Sequence, residues 1–119
     1  MNYRNVIKEI LRKYKLRLGI NEEVKVKVRN YKTRAAFCNI KTKTIYINKN
    51  LLDLDEDILE YLILHELLHI KLNSKYHSSE FYKILHEFAS LNKIMCIRTK
   101  IREKLLQIQI SNVKRVSSF

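Results

Sequence analysis

The sequence contains no proline, no tryptophan, one glycine and two cysteines. Because proline and glycine are almost absent, no flexible linker divides the chain, and we expect a single domain over residues 1–119. Cys38 and Cys96 lie outside any CxxC pattern. We expect them to be buried, reduced thiols of a cytoplasmic protein, with a disulfide or a metal role as the lesser alternative. The 119 residues, 46% of them apolar, suffice for one hydrophobic core.

Long apolar runs are also missing. The longest apolar stretch is interrupted by His65, Glu66 and His69, so no segment reaches the length needed to span a bilayer. The Lys/Arg-rich N-terminus is not followed by an apolar block or a small-residue cleavage site, as a secretory signal would be. We therefore predict a cytoplasmic protein without a membrane partner.

Acidic residues are scarce outside one short segment. The chain has 24 Lys and Arg against 12 Asp and Glu, a net charge of +12. Six of the acids fall within residues 53–66, a stretch without Lys or Arg. The remaining surface is strongly basic, which favours phosphate backbones or acidic partners. Nucleic acid is thus a predicted partner. The alternative is that the basic residues form a solvated surface that binds no nucleic acid.

Residues 65–69 read HELLH, within a segment expected to be a buried helix. Positions four apart share one face of a helix, so His65 and His69 can grip one metal ion. Glu66 can then reach a water bound to that metal. The alternative, two neutral core histidines with Glu66 at the surface, leaves three polar groups at metal-site spacing unexplained. The motif therefore predicts a zinc-dependent peptidase.

A catalytic zinc site needs a third protein ligand, and His77 is the first candidate. Asn73 and Ser74 can end the motif helix and turn the chain back. Ser78 or Ser79 can cap a second helix that runs to about residue 91. Glu80 is the rival ligand, one turn further on, although a carboxylate there also suits the helix dipole.

Periodicity predicts the remaining elements. Helical spacing of apolar residues covers 3–17, and alternation over 24–29 indicates a strand. A hairpin is expected from 35–40 and 44–48, and Asp53 or Asp55 should cap the motif helix. Two further strands are predicted at 94–99 and 105–110, followed by a mobile tail at 111–119.

Several segments in this order resemble the SprT-like, WLM and YgjP-like zinc metallopeptidases. They are residues 33–38, 44–48, 51–52, 65–69 and 77–82, of which the last reads HSSEFY. The resemblance implies that His65, His69 and His77 bind zinc and that Glu66 is the general base. Gluzincin-like peptidases are near relatives with a glutamate as third ligand, which keeps Glu80 open.

The sequence thus predicts an α+β, minimal zincin-like fold, with a small β-sheet packed on the HExxH helix. The expected reaction is hydrolysis of protein or peptide substrates by a zinc-bound water that Glu66 activates. SprT-like and WLM members act on DNA-associated proteins, and the resemblance extends that expectation to this chain. The alternatives are a non-catalytic zinc domain that contacts nucleic acid, and a latent enzyme whose C-terminal segment fills its own cleft. Substrate is expected to lie along residues 44–48, taken as an edge strand.

Overall fold

A computed structural model describes the backbone of residues 3–117 and the side chains of residues 3–111. A long helix precedes three strands, and three helices follow them. In chain order the elements are α1 (Tyr3–Leu18), β1 (Lys25–Arg29), β2 (Ala36–Asn39), β3 (Thr44–Asn48), α2 (Glu56–Leu72), α3 (Ser79–Phe88) and α4 (Leu91–Ser117). This arrangement confirms the predicted α+β class, and the predicted hairpin is β2 and β3.

The sheet has the strand order β1-β3-β2. β3 runs parallel to β1 and antiparallel to β2, with Cys38 opposite Ile45. Ile45 and Ile47 are fully buried, whereas β1 and β2 are only partly covered. A strand buried along its length belongs at the centre of a sheet. The prediction that residues 44–48 form an edge strand is therefore wrong, and β2 is the edge next to the HExxH helix.

Helix α2 is the centre of the core. Ten of its side chains are buried, among them Ile63, Leu67 and Leu68 with no exposed surface. It contacts α1, α3, α4, β2 and β3. Asp55 is its N-cap residue, and the acids Glu56 and Asp57 in its first turn complement the helix dipole. The sheet therefore packs on the HExxH helix as predicted.

The C-terminal quarter differs from the prediction, because α4 replaces both expected strands. Ile94, Ile97 and Ile101 are buried at spacings of three and four residues, the period of a helix. The helix also continues to Ser117. The mobility expected of residues 111–119 stays a prediction, and residues 118–119 lie outside the described part of the chain.

Cys38 and Cys96 are free thiols; Cys38 is half-buried, but Cys96 is exposed, which contradicts its predicted burial. Among the described residues, no helix combines the length and the apolarity required to cross a membrane.

Candidate metal centre

Helix α2 supplies the first three residues of the centre. His65 and His69 are one helical turn apart, and their ring centroids are separated by 5.1 Å. Glu66 is buried, with 5% of its surface exposed. Its Oε2 lies 3.0 Å from Nδ1 of His65. The residues of the motif therefore converge on one side of α2.

The connection between α2 and α3 brings in His77. Asn73 ends α2 in the left-handed conformation, with φ of 49°. Ser78 caps α3 by accepting a hydrogen bond from the Phe81 N–H at 3.2 Å. Between these two caps the chain folds back, and the His77 ring centroid lies 4.9 Å from that of His65 and 4.9 Å from that of His69. The two helix ends, both predicted from the sequence, thus position the third imidazole.

The aromatic ring of Phe81 packs against all three imidazoles. This ring is fully buried, and its centroid lies 5.0 Å from that of His65, 4.8 Å from that of His69 and 4.9 Å from that of His77. Close packing of this kind restricts the rotation of each histidine ring. Packing against Phe81 therefore helps to fix the directions in which the imidazole nitrogens point.

Hydrogen bonds define which nitrogen of each α2 histidine is free to bind a metal. The Nδ1 of His69 lies 2.8 Å from the carbonyl oxygen of Ser74, which can only accept, so Nδ1 carries the proton. The Nδ1 of His65 likewise donates to the carboxylate of Glu66. In both neutral rings the lone pair is then on Nε2. Such an outer hydrogen bond is the usual device that orients a metal-binding histidine.

The three histidines fit a metal ion. Their ligand atoms all lie within 4.8 Å of one another. The Nε2 atoms of His69 and His77 are 3.1 Å apart, and tetrahedral zinc would hold two such atoms about 3.3 Å apart. Burial, reinforced by His65 and His69, lowers the pKa of His77 and favours the neutral imidazole that a metal requires. Glu80 lies in the first turn of α3, exposed, and is not part of this group.

A cleft of about 280 Å³ opens beside the histidines. Its opposite wall is the edge strand β2, through Ala36, Phe37 and Cys38. Burial and the nearby Glu66 carboxylate raise the pKa of the Cys38 thiol to about 12. A substrate entering this cleft would therefore meet Glu66, the histidines and the free edge of β2.

Three residues near Glu66 were not identified from the sequence. Cys38 lies on the inner face of β2, which the pairing of β2 with β3 determines. Arg98 and Arg102 line a second cavity beside Glu66. Their spacing of four residues is a helical signal, but it was hidden because residues 94–99 were predicted to be a strand.

Sequence comparisons identify the family. The family described as YgjP-like, metallopeptidase domain, matches residues 1–95. An uncharacterized protein of Methanocaldococcus jannaschii is 37% identical over 101 residues, which cover 84% of this chain and 92% of that protein. An uncharacterized protein of Aquifex aeolicus is 38% identical over 95 residues, which cover 79% and 86%. The chain belongs to the YgjP-like metallopeptidase family.

Solved structures agree with this assignment. The metallopeptidase zymogen of Pyrococcus abyssi abylysin superposes with a TM-score of 0.77 at 31% identity, over 84% of this chain and 95% of that chain. The metallopeptidase zymogen of Methanocaldococcus jannaschii jannalysin gives 0.76 at 37% identity, over 83% and 89%. The protein is therefore a metallopeptidase, a class whose substrates are proteins or peptides and whose activity implies a bound metal.

Proposed function

We propose that residues 1–119 act as one zinc-dependent peptidase domain in which His65, His69 and His77 hold the zinc ion. The observation that carries this proposal is the convergence of three imidazoles, with ligand atoms within 4.8 Å, beside a buried glutamate. Three histidines and an open position are a ligand set typical of catalytic zinc.

Glu66 is the general base of the proposed reaction. A zinc ion held by the three histidines would act as a Lewis acid, lowering the pKa of water and polarising the scissile carbonyl. A carboxylate oxygen of Glu66 takes the proton from the attacking water and then delivers it to the leaving amine. The hydrogen bond from His65 Nδ1 to Oε2 holds this carboxylate in the cleft. The substrate backbone pairs with the free edge of β2, rather than with β3, which is already paired on both sides.

Replacing Glu66 separates catalysis from metal binding. We expect Glu66→Gln to retain the fold and one zinc per chain, because the amide replaces no proposed ligand. Hydrolysis should fall by about 10²- to 10⁴-fold, since an amide cannot accept the proton from water. Zinc content is measured by elemental analysis, and cleavage of an unfolded protein by mass spectrometry. Equal cleavage by the wild-type protein and Glu66→Gln would refute the proposed mechanism.

Latency is a second proposal, favoured by the similarity to two metallopeptidase zymogens. In this chain α4 runs beside the centre, and Arg98, Ile101 and Leu105 line a cavity that also contains Glu66. The chain continues beyond that wall to Phe119. We propose that the C-terminal segment of the chain limits access to the cleft in the isolated protein.

Nucleic-acid contact is a third proposal, supported by the distribution of basic residues on the described surface. Lys93, Lys100 and Lys104 of α4 each pair with an aspartate. A groove of about 500 Å³ between α1 and β1 has four basic residues in its lining: Arg4, Lys8, Lys27 and Arg29. The described residues that line this groove include no acid. We propose this basic groove as the site that contacts DNA when the substrate is a DNA-associated protein.

A further inference from the structure

A second cavity of about 280 Å³ also borders Glu66, in addition to the cleft between the histidines and β2. Its walls include Ala36 of β2 and Leu62 of α2, and Ile101 of α4 contributes a further apolar surface. Because His65 and Glu66 also line it, this cavity is continuous with the reacting centre. A substrate residue close to the scissile bond can therefore reach it.

Two arginines give this cavity a positive charge. Arg98 and Arg102 are four residues apart on α4, so both lie on the same side of the helix. Burial of Ile97 and Ile101 in the core fixes which side of α4 faces the cavity. Burial raises the pKa of the Tyr61 hydroxyl, and Arg98 opposes that shift, which agrees with a guanidinium close to this wall.

Arg98 and Arg102 differ from the lysines of α4 whose side chains the structure describes, because neither arginine has an acidic partner there. Lys93, Lys100 and Lys104 are paired with Asp57, Asp55 and Asp53 at the start of α2. No ion pair joins Arg98 or Arg102 to a carboxylate among the side chains of residues 3–111. Glu66 is the one acid among the described residues of the cavity wall, and its carboxylate accepts a hydrogen bond from His65. The cavity therefore has two guanidinium groups available for an external anion.

We propose that Arg98 and Arg102 form a specificity pocket for a substrate carboxylate next to the scissile bond. The carboxylate is either the side chain of an acidic residue or the free C-terminus of a short peptide. A guanidinium binds a carboxylate through two parallel N–H bonds, and the apolar wall suits the methylene groups of glutamate. This inference rests on the proposed peptidase function and specifies its substrate class as acidic peptides.

Peptide hydrolysis tests the pocket directly. The parent peptide is neutral, and in each test peptide one glutamine is replaced by glutamate. Every peptide is made with a free and with an amidated C-terminus, and kcat/KM is measured for each. We expect the best glutamate or free-acid peptide to exceed its neutral counterpart about tenfold in kcat/KM, mainly through KM. The two sets of peptides separate an acidic side chain from a terminal carboxylate. The double variant Arg98→Gln/Arg102→Gln should abolish the difference in kcat/KM between the acidic and the neutral peptide.

The control variant Lys100→Gln/Lys104→Gln removes the same charge from the same helix, but these two lysines are paired with Asp55 and Asp53, before the start of α2. It should keep the preference, which distinguishes a pocket from a general attraction by net charge. Arg98→Glu/Arg102→Glu should in turn favour lysine-containing peptides. Equal use of acidic and neutral peptides by the wild-type protein would overturn the inference while leaving the peptidase function intact.

A binding measurement decides the inference even if no peptide is hydrolysed. Fluorescence anisotropy of the same labelled peptides on Glu66→Gln should show a dissociation constant about tenfold lower for the acidic peptide. This preference should disappear when Arg98→Gln and Arg102→Gln are added. Absence of an acidic preference in this measurement refutes the pocket. If the arginine variants lose affinity for duplex DNA and keep the peptide preference, the pair belongs to a nucleic-acid site and the inference is also wrong.

Discussion

The hydrogen bond from His69 Nδ1 to the Ser74 carbonyl connects the C-terminal end of α2 to the candidate metal centre. Asn73 adopts a left-handed conformation, which asparagine tolerates better than most residues. This conformation turns the Ser74 carbonyl back toward His69 at 2.8 Å. The sequence predicted the turn at Asn73 and Ser74 from residue type alone. The orienting role of the carbonyl was beyond such reasoning, because backbone acceptors leave no signal in side-chain patterns.

The third ligand is the site residue that sequence reasoning left open. We expect the zinc content of His77→Ala to be much lower than that of the wild-type protein, because one of three imidazole donors is removed. Glu80→Ala should retain the metal, because Glu80 is exposed in the first turn of α3. Elemental analysis after dialysis against a weak chelator measures both variants. Zinc lost from Glu80→Ala and retained by His77→Ala would assign the ligand to Glu80.

At the scale of elements, a helix, hairpin or cap was predicted correctly where periodicity or a capping residue within that segment specified it. The motif helix, the hairpin and the cap at Ser78 each follow from periodicity or a capping residue. The parallel pairing of β1 with β3 joins segments separated by residues 30–43, and nothing in either strand specifies that register. Because this pairing has no local signal, the sequence did not indicate that β3 lies at the centre of the sheet.

Helix α4 shows why an alternating pattern can mislead. Ile108, Gln109 and Ile110 alternate, but no glycine or proline lies between residues 91 and 117 to end a helix. Ile94, Ile97 and Ile101 keep the helical period over a longer window and are the residues that are buried. The longer window is the better guide, because burial of one helix face involves several turns.

The contact between α1 and α2 has a predicted pH dependence. Tyr14 donates a hydrogen bond of 2.7 Å to Oε1 of Glu60, and Lys13 lies 2.9 Å from the same oxygen. Burial alone would raise the pKa of Glu60, but the bonds from Tyr14 and Lys13 outweigh it and lower that pKa below 4.5. A lowered native pKa stabilises the fold above pH 4.5, and this contribution is lost as pH falls through the native value.

Tyr14→Phe tests this contribution. The ring can keep its edge-on contact with Phe88, so mainly the hydroxyl is lost. We expect the free energy of unfolding to fall by about 1.5 kcal/mol at pH 7, and the difference from the wild-type protein to shrink below pH 4. Urea unfolding at pH 7 and pH 3 measures both values. An equal difference at the two pH values would mean that the charge of Glu60 does not strengthen this bond.

At the scale of the whole molecule, truncation tests latency. A chain ending at Ser111 keeps Ile94, Ile97 and Ile101 in the core, so we expect it to fold. If the removed segment limits access to the cleft, cleavage of an unfolded protein should rise while zinc content stays at one per chain. A chain ending at Lys104 is the comparison, since it also loses the half-buried Leu105 and should be less stable. Unchanged activity in the Ser111 chain would argue against latency.

The net charge of +12 leads to the last prediction, which concerns DNA. If the basic groove contacts about four phosphates, the logarithm of affinity should fall with that of salt at a slope of about −3.6. Lys8→Gln/Lys27→Gln should make this slope shallower by about 2 units. Lys100→Gln/Lys104→Gln removes the same net charge from lysines already paired with aspartates, and it should change the slope little. Fluorescence anisotropy with a short duplex across a salt series measures all three proteins. Equal slopes in both variants would place the DNA contact outside the groove, and affinity independent of salt would exclude a phosphate-based contact altogether.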